Sequence, residues 1–278
     1  MTQTANADQA TYWSTGGGLN WITAEDRLDQ LFANVTDSVI ETAGIKPGQT
    51  ILDIGCGTGH TTRAAAQVAG SDGSALGLDI STSLLARAQE RALPNTAFTL
   101  ADAQTDPLPE QHFDHIISRF GVMFFADPVA AFENLSSALK PEGQFTMACW
   151  APFKLNPWFT IPYSVATKRL GKMAPVNPRD PGPFAFADTA YTLDILEQAG
   201  LNAQVNTHEI PLSLPGTAQE AGVLSNDIGP ADSIIRGLNG TDADKAAIVA
   251  ETVEKLKPYE QNGSVSVGAH IHFYTATK

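Results

Sequence analysis

The chain has 278 residues and a formal net charge of -13, with 17 Lys and Arg against 30 Asp and Glu. The excess of negative charge repels phosphate polyanions and disfavours nucleic acid as a partner, while the 43% hydrophobic content is ordinary for a globular protein. No stretch approaches the roughly 18 apolar residues of a membrane span, and the chain opens without a basic and apolar leader, so we expect a cytoplasmic protein with no membrane partner.

Residues 1–49 are predicted to form an N-terminal helical cap. The aromatic residues Tyr12, Trp13 and Trp21 surround three consecutive glycines at 16–18, which predict a loop. The apolar spacing over residues 24–43 predicts one helix. We expect this segment to lie over the sheet that follows.

Residues 50–150 alternate short apolar runs with helical periodicity, which is the pattern of successive β-α-β units around a parallel sheet. The predicted strands lie at 50–54, 75–80, 97–101, 113–118 and 144–150. Ser81, and Asp127 followed by Pro128, are typical helix starts, and the Lys-Pro-Glu-Gly run at 140–143 ends the second helix. We interpret this segment as a cofactor-binding core.

After residue 150 the alternation stops. Seven prolines between Pro152 and Pro183 predict loops and short helices over residues 151–189, which we interpret as a lid. Residues 190–278 are predicted to complete the sheet, with strands at 208–214 and 265–275 and a helical insertion at about 217–260. The alternating last strand is expected to pair antiparallel, and residues 1–278 are predicted to form a single α/β domain.

The most specific motif is the run at 51–59, where an apolar strand carries Asp53 and the alternating glycines Gly55, Gly57 and Gly59 follow. A strand that enters a glycine turn lets the backbone approach a ligand closely, and the next helix offers free N–H groups at its start. Twenty residues past the third glycine, a second short strand carries Asp79, at a spacing that suits an acid bound to a ribose. The motif therefore predicts a nucleotide-binding site.

An NAD-dependent oxidoreductase is one alternative, because dinucleotide-binding folds also carry a glycine-rich turn. Their fingerprint is Gly-x-Gly-x-x-Gly, whereas here the third glycine comes one residue early and His60 stands in its place. Asp53 would also repel a pyrophosphate, while it would attract a ligand that carries an ammonium and a sulfonium. A protein that binds the cofactor without catalysis is a second alternative.

Four motifs in order resemble the class I S-adenosylmethionine-dependent methyltransferase family: the turn at 53–59, Asp79, the Ala-Asp-Ala run at 101–103, and the Phe-Asp pair that opens the strand at 113–118. The resemblance spans about residues 45–150. The runs at 119–128 and 139–143 are similar to small-molecule enzymes of the quinone C-methyltransferase group. The family implies a doubly wound, mostly parallel seven-stranded sheet with an antiparallel last strand, and S-adenosylmethionine as cofactor.

The resemblance also implies a role for each motif. The glycine turn would contact the methionine and ribose, Asp79 would bind the ribose hydroxyls, and Asp102 with the next N–H would meet the adenine. Arg119 would face the methionine ammonium through its backbone carbonyl, and Cys56 would be small filler. The predicted cofactor-binding residues are Asp53, Gly55, Cys56, Gly57, Gly59, Asp79, Ile80, Asp102, Ala103 and Arg119.

Methyl transfer is an in-line displacement in which the sulfonium activates the methyl group, so the protein mainly supplies alignment and exclusion of water. An acceptor with a removable proton would use a general base, for which His60, His208 and Asp127 are the candidates. Each also has a structural interpretation, such as a helix cap for Asp127. No metal site is predicted, although His270 and His272 alternate on one face of the last strand.

Aromatic side chains come before the glycine turn and after the fourth and fifth strands. In an open α/β sheet the ligand lies beyond the carboxyl ends of the strands, so these residues are expected to line an apolar pocket, although core packing explains part of them equally well. The predicted substrate-binding residues are Tyr12, Trp13, Trp21, Phe120, Phe124 and Trp150. The sequence thus predicts a methyltransferase for a small, apolar or aromatic acceptor, and it leaves the acceptor atom and the oligomeric state open.

Overall fold

The computed structural model describes residues 6–278, so the first five residues of the predicted N-terminal cap lie outside the described range. The described part opens with four short helices: α1 (Ala7–Ser14), α2 (Gly16–Thr23), α3 (Glu25–Leu31) and α4 (Ala33–Ala43). Two expectations are wrong here, because the glycines at 16–18 belong to α2 and the single helix predicted at 24–43 is broken at Phe32. A Cβ at Gly18 would lie 1.7 Å from the carbonyl oxygen of Trp13. Gly18 therefore serves close packing of α1 against α2 and not a loop.

The middle of the chain forms the parallel part of the sheet: β1 (Thr50–Ile54), α5 (His60–Ala69), β2 (Ser74–Asp79), α6 (Thr82–Glu90), β3 (Thr96–Leu100), β4 (Phe113–Arg119), α7 (Pro128–Ala138) and β5 (Leu139–Trp150). The first four strands differ from the predicted bounds by at most one residue at each end. β5 begins at 139 and not at the predicted 144, because Leu139 pairs with Phe113 ahead of a register shift. The residues at 140–143, predicted to end the preceding helix, follow that helix and belong to the strand.

The rest of the chain adds α8 (Pro157–Leu170), α9 (Thr189–Gln198), β6 (Asn202–Pro215), α10 (Ala218–Asp227), α11 (Pro230–Gly237), α12 (Asp242–Leu256), β7 (Glu260–Gln261) and β8 (Ser264–Thr277). The prediction of loops and short helices after residue 150 is wrong for α8, a 14-residue helix that contains Pro162. Pro157 opens this helix at a position where the missing N–H is tolerated, and Pro162 is buried within it. α10 and α12 each begin with a capping box, which explains why the polar stretch at 217–260 is helical.

The strands pair in the order β3-β2-β1-β4-β5-β8-β6, and β7 pairs with β8. β1 to β5 are parallel to their neighbours, while β8 lies antiparallel between β5 and β6, which confirms the predicted mostly parallel sheet with an antiparallel last strand. Residues 6–278 form eight strands where seven were predicted, because the two-residue β7 is too short to give a pattern. Since β6 is antiparallel to β8, it runs in the same direction as β1 to β5.

Helices cover both faces of the sheet: α4, α5 and α6 pack on one face, and α7 and α9 pack on the other. The central strands are accordingly buried on both sides, and Ile51, Leu52 and Ile117 have no exposed surface. The carboxyl ends of β1 to β6 meet at one edge, and α8 and α10 follow directly after β5 and β6 at that edge. An open α/β sheet binds its ligands there. Within residues 6–278, no helix is long and apolar enough to cross a membrane.

Candidate active site

The loop after β1, residues 55–59, is named the glycine turn. Gly55, Gly57 and Gly59 all have positive φ, at 63°, 56° and 79°, a conformation that L side chains rarely adopt. A Cβ at Gly57 would have no described atom within 4 Å apart from Gly57 itself and its two chain neighbours, whereas a Cβ at Gly55 would lie 2.6 Å from the Cα of Gly121. The turn therefore borders open space on one side and touches the loop after β4 on the other.

Asp53 precedes the glycine turn, and only 1% of its surface is exposed. Its Oδ2 accepts a hydrogen bond from the hydroxyl of Thr62 at 2.6 Å, while its Oδ1 has no partner among the described residues. Burial raises the pKa of Asp53 to about 7, although the hydrogen bond from Thr62 and the charge of Arg119 lower it. A buried carboxylate with one unpaired oxygen is suited to a cationic ligand group.

Asp79 ends β2, and its carboxylate accepts hydrogen bonds from the backbone of two loops. One carboxylate oxygen accepts from the N–H of Gly57 at 2.8 Å, and the other accepts from the N–H of Ser81 at 2.8 Å. Burial raises the pKa of Asp79, although these backbone hydrogen bonds act in the opposite direction. Ile80, next in the chain, is partly exposed. The carboxylate therefore also shapes the glycine turn and the start of the next helix.

Asp102 lies two residues beyond β3 and binds a residue of the N-terminal segment. Nδ2 of Asn6 donates to both carboxylate oxygens of Asp102 at 2.9 Å, and Oδ1 of Asn6 accepts from the N–H of Ala126 at 2.9 Å. The same carboxylate accepts from the N–H of Gln104 at 2.9 Å, and Ala103 is buried. Sequence reasoning missed Asn6, because an Asn before a helix is an ordinary N-cap and this contact spans 96 positions.

Arg119 ends β4, and its side chain faces a buried polar region on the α4 side of the sheet. Its Nη1 donates to the hydroxyl of Thr36 at 2.9 Å, and its guanidinium carbon lies 5.6 Å from the ring centroid of Phe32. Burial lowers the pKa of Arg119, while the carboxylates of Asp29 and Asp53 raise it. The sequence indicated only the backbone carbonyl of Arg119. The structure adds a half-buried guanidinium in the field of two carboxylates.

Cys56 is buried in the glycine turn, and burial raises the pKa of its thiol well above the usual range. A thiol that stays protonated is a poor nucleophile, which agrees with the interpretation of Cys56 as small filler. Among residues 6–278, no group of three or more His, Cys, Asp and Glu side chains could hold a metal ion. His270 and His272 instead have ring nitrogens near the backbone carbonyls of Leu155 and Ala187.

The three candidate bases lie in different surroundings. His60 begins α5, with its Nδ1 3.0 Å from Oδ2 of Asp29 and its side chain 30% exposed. His208 is exposed on the edge strand β6, and Asp127 caps α7 by accepting from the N–H of Ala130 at 3.1 Å. Of these, His60 is the one with a carboxylate that can orient its ring. Asp29 was not singled out from the sequence, since an acid in a helix is ordinarily exposed.

Five aromatic side chains form a continuous group that we name the aromatic cluster: Trp21, Phe32, Phe120, Trp150 and Phe159. Phe120 and Trp150 stack face to face, with ring centroids 4.3 Å apart and planes at 4°. Phe32 packs edge-on against both at 5.5 and 6.0 Å, Trp21 stacks on Phe32 at 6.2 Å, and Phe159 contacts Trp150 at 4.7 Å. Phe120 has a φ of 65°, which is rare for an aromatic residue and turns its ring onto Trp150.

The other predicted substrate residues lie at the border of the aromatic cluster. Trp13 contacts Trp21 at 6.2 Å and Phe124 at 5.3 Å between ring centroids. Tyr12 contacts Trp13 from the outside and is 46% exposed. Phe32 was missed, because its position in an apparent amphipathic helix predicts ordinary core packing.

A doubly wound sheet with an antiparallel strand between β5 and β6, and acids beside the glycine turn, define a class I methyltransferase. A family profile described as a methyltransferase domain matches residues 51–143. The chain is 31% identical over 180 residues to the ubiquinone/menaquinone biosynthesis C-methyltransferase UbiE of Burkholderia vietnamiensis, covering 59% of this chain and 72% of that protein. The chain belongs to the class I S-adenosylmethionine-dependent methyltransferase family, and its cofactor is S-adenosylmethionine.

Two further comparisons define the extent of the similarity. The UbiE protein of Ectopseudomonas mendocina is 36% identical over 110 residues, which cover 38% of this chain and 43% of that protein. Phosphoethanolamine N-methyltransferase 2 of Haemonchus contortus, solved with S-adenosyl-L-methionine, has a TM-score of 0.59 at 19% identity, covering 97% of this chain and 59% of that chain. The first match spans less than half of its relative, and the second shows a shared fold. The comparisons give no support to an oxidoreductase.

Proposed function

We propose that the enzyme methylates a small, apolar or aromatic molecule that binds against the aromatic cluster. The observation that carries this proposal is the connection between the cluster and the glycine turn. Phe120 stacks on Trp150, and the next residue, Gly121, is in backbone contact with Gly55. An acceptor bound on these rings would therefore lie next to the turn at which the cofactor is held.

The described residues fit the proposed cofactor roles. The open space beside Gly57 accommodates a ligand against the backbone, and Asp79 at the end of β2 and Asp102 beyond β3 provide acceptors along the same sheet edge. We assign the ribose to Asp79 and Ile80, and the adenine to Asp102 and Ala103. Further cofactor contacts are proposed for the backbone of Gly55, Cys56, Gly57 and Gly59.

Asp53 and Arg119 complement an α-amino acid group. The unpaired Oδ1 of Asp53 is suited to an ammonium, and the half-buried guanidinium of Arg119 is suited to a carboxylate. The two residues stand on neighbouring strands, and each affects the pKa of the other. We therefore assign the methionine end of the cofactor to this pair, in addition to the backbone carbonyl of Arg119.

When bound, S-adenosylmethionine would supply an electrophilic methyl group, which passes in line to the acceptor with S-adenosylhomocysteine as the leaving group. The residues of this chain hold and orient the two reactants, and the apolar rings of the aromatic cluster exclude water from them. If the acceptor carries a removable proton, His60 is the candidate base with an orienting partner, since its Nδ1 lies beside Asp29. His208 and Asp127 stay as alternative predictions.

Binding of S-adenosylhomocysteine is expected to weaken as the pH falls from about 7.5 to about 5.5. The pKa of Asp53 is about 7 in the protein, so Asp53 takes up a proton over this range, and the ligand ammonium requires its charged form. Below this pKa, Asp53 must release its proton before the ligand binds. The affinity therefore falls by up to about tenfold for each pH unit below the pKa. Isothermal titration calorimetry at several pH values measures the slope.

The Asp53→Asn variant is the control for this pH dependence. It should bind more weakly at pH 7.5 and show a clearly smaller slope, because the amide cannot take up a proton over this range. An Asp53→Asn variant with the slope of the wild type would show that Asp53 does not face the ligand ammonium.

The acceptor class is tested with methyl-labelled S-adenosylmethionine and a panel of naphthoquinols, phenols, short aliphatic amines and thiols. Transfer to the aromatic compounds, and none to the aliphatic ones, is the expected result. Trp150→Leu should raise the KM of the best acceptor by about tenfold while S-adenosylhomocysteine binding stays unchanged, because the ring belongs to the proposed acceptor site and not to the proposed cofactor contacts.

Phe145→Leu provides the matched control, since Phe145 is 1% exposed in the same strand and packs against Phe132 of α7. It should lower stability without changing the acceptor KM. Transfer to aliphatic amines alone, or equal KM changes in the two variants, would contradict the proposed acceptor site.

We also propose that the protein acts in the cytoplasm and has no nucleic acid partner. Both cysteines are free and buried, which suits a reducing compartment. The net charge of -13 disfavours binding to a polyanion.

A further inference from the structure

Helix α1 is tied at both ends to loops at the carboxyl edge of the sheet. At its end, the carbonyl of Trp13 accepts from the hydroxyls of Ser81 and Ser83 at 2.7 and 3.3 Å, and Oγ of Ser14 accepts from the N–H of Thr82 at 3.2 Å. Ser81 is fully buried and also donates its N–H to Asp79. The end of α1 is therefore joined to the loop after β2.

At its start, α1 is held by the side chain of Asn6. The amide nitrogen donates to Asp102 at 2.9 Å and to Oε1 of Gln104 at 3.1 Å, and the amide oxygen accepts from the N–H of Ala126 at 2.9 Å. Asp102 and Gln104 follow β3, and Ala126 follows β4, so these contacts span 96 to 120 positions of the chain. Asn6 is 5% exposed, so its donors and its acceptor are used within the protein.

Asn6 occupies the N-cap position of α1, yet it makes no side-chain hydrogen bond to its own helix. An N-cap Asn normally stabilises its helix by accepting from the second or third N–H, and that contribution is given up here. The carboxamide instead connects the loops after β3 and β4. Its position is therefore explained by those loops and not by the stability of α1.

We propose that Asn6 is a latch that holds α1 closed across the cofactor site and thereby sets how long the cofactor stays bound. The proposal rests on the proposed cofactor roles of Asp79 and Asp102, whose loops are the two attachment points. A carboxylate has about four acceptor positions, and Asp102 uses three of them, two for Asn6 and one for Gln104. One position remains for an adenine amino group, so the latch and the adenine can bind Asp102 together.

The latch predicts a change in dissociation rate. For Asn6→Ala, S-adenosylhomocysteine is expected to dissociate about tenfold faster, equivalent to about 1.4 kcal/mol, in a stopped-flow experiment that follows Trp fluorescence. In the cofactor-free protein, the amides of residues 10–14 should also exchange hydrogen faster. Asn20→Ala, a change at an exposed residue of α2, is the matched control. It should alter neither the dissociation rate of S-adenosylhomocysteine nor the hydrogen exchange of residues 10–14.

Two charge variants separate the latch from a merely structural contact. Asn6→Asp places a carboxylate beside Asp102, so dissociation should be faster than in Asn6→Ala at low salt and should slow down as salt screens the repulsion. In the double variant Asn6→Asp with Asp102→Asn, the donor and acceptor are exchanged. Slow hydrogen exchange in α1 should return in the cofactor-free protein, while cofactor affinity stays reduced because Asp102 has lost its charge.

The outcomes distinguish the latch from the cofactor assignment. An unchanged dissociation rate in Asn6→Ala, or tighter binding because Asn6 competes with the adenine, would overturn the latch. If Asp102→Asn binds S-adenosylhomocysteine like the wild type while Asn6→Ala still speeds up hydrogen exchange in α1, the attachment of α1 is supported and the proposed role of Asp102 fails.

Discussion

Replacing Asp79 with alanine is expected to weaken S-adenosylhomocysteine binding by about a hundredfold, or about 2.7 kcal/mol. The loss has two sources. The variant removes the proposed acceptor of the ribose hydroxyls, and it leaves the N–H groups of Gly57 and Ser81 without the carboxylate that each contacts at 2.8 Å. Unfolding in urea should show a stability loss of about 2 kcal/mol, since unpaired buried donors are unfavourable. Calorimetry measures the affinity.

Asp79→Asn separates the two sources. The amide keeps the size of the side chain and one accepting oxygen, so it should retain more stability than alanine while affinity stays low. Asp72→Ala, at an exposed acid just before β2, is the control and should bind like the wild type. An Asp79→Ala affinity within about threefold of the wild type would show that the ribose is bound elsewhere.

The succession of strands and helices over residues 50–150 was predictable because each β-α-β unit carries its own local pattern. Apolar runs, the cap at Ser81 and the Asp127–Pro128 start all act within a few residues, and the structure places them as predicted. The errors fall where tertiary packing overrides local preference. The glycines at 16–18 form a helix because Gly18 lies against the carbonyl of Trp13, and Pro162 stays inside α8 because the helix is buried there.

The glycine turn and its acids were visible in the sequence because their spacing is local. Asn6, Asp29 and Phe32 were not, since each gains its proposed role from a partner far along the chain. Asn6 donates a hydrogen bond to Asp102, Asp29 lies beside the ring of His60, and Phe32 packs against the ring of Phe120 in the loop after β4. No pattern in residues 6–32 distinguishes these three from a cap, a surface acid and a core residue.

The acidic residues are not confined to the surface, because four of them in the described part of the chain are buried. Glu25, Asp29, Asp53 and Asp79 are 2%, 7%, 1% and 7% exposed. Glu25 lies 2.6 Å from guanidinium nitrogens of both Arg87 and Arg91, which joins α3 to α6. Asp29, Asp53 and Asp79 contact His60, Thr62 and the glycine turn. Part of the acidic composition therefore builds the site and attaches the N-terminal helices to it.

Gly121→Ala is expected to destabilise the protein by about 3 kcal/mol and to abolish measurable cofactor binding. Gly121 has an ordinary φ of -86°, so backbone conformation does not require glycine there. Glycine is required because no side chain fits there: a Cβ at 121 would lie 2.4 Å from the carbonyl oxygen of Ile54 and 2.8 Å from the Cα of Gly55. Both neighbours are backbone, so relief would have to displace the glycine turn itself. Urea unfolding and calorimetry with S-adenosylhomocysteine measure the two effects.

Gly44→Ala is the matched control for this prediction. Gly44 ends α4 with a φ of 65°, and a Cβ there would have no described atom within 4 Å apart from Gly44 itself and its two chain neighbours. Alanine at 44 should therefore show only the strain of a left-handed residue, about 1 kcal/mol, with cofactor affinity unchanged. If Gly121→Ala were no more destabilising than Gly44→Ala and still bound the cofactor, the contact between the two loops would not be needed to hold the glycine turn in place.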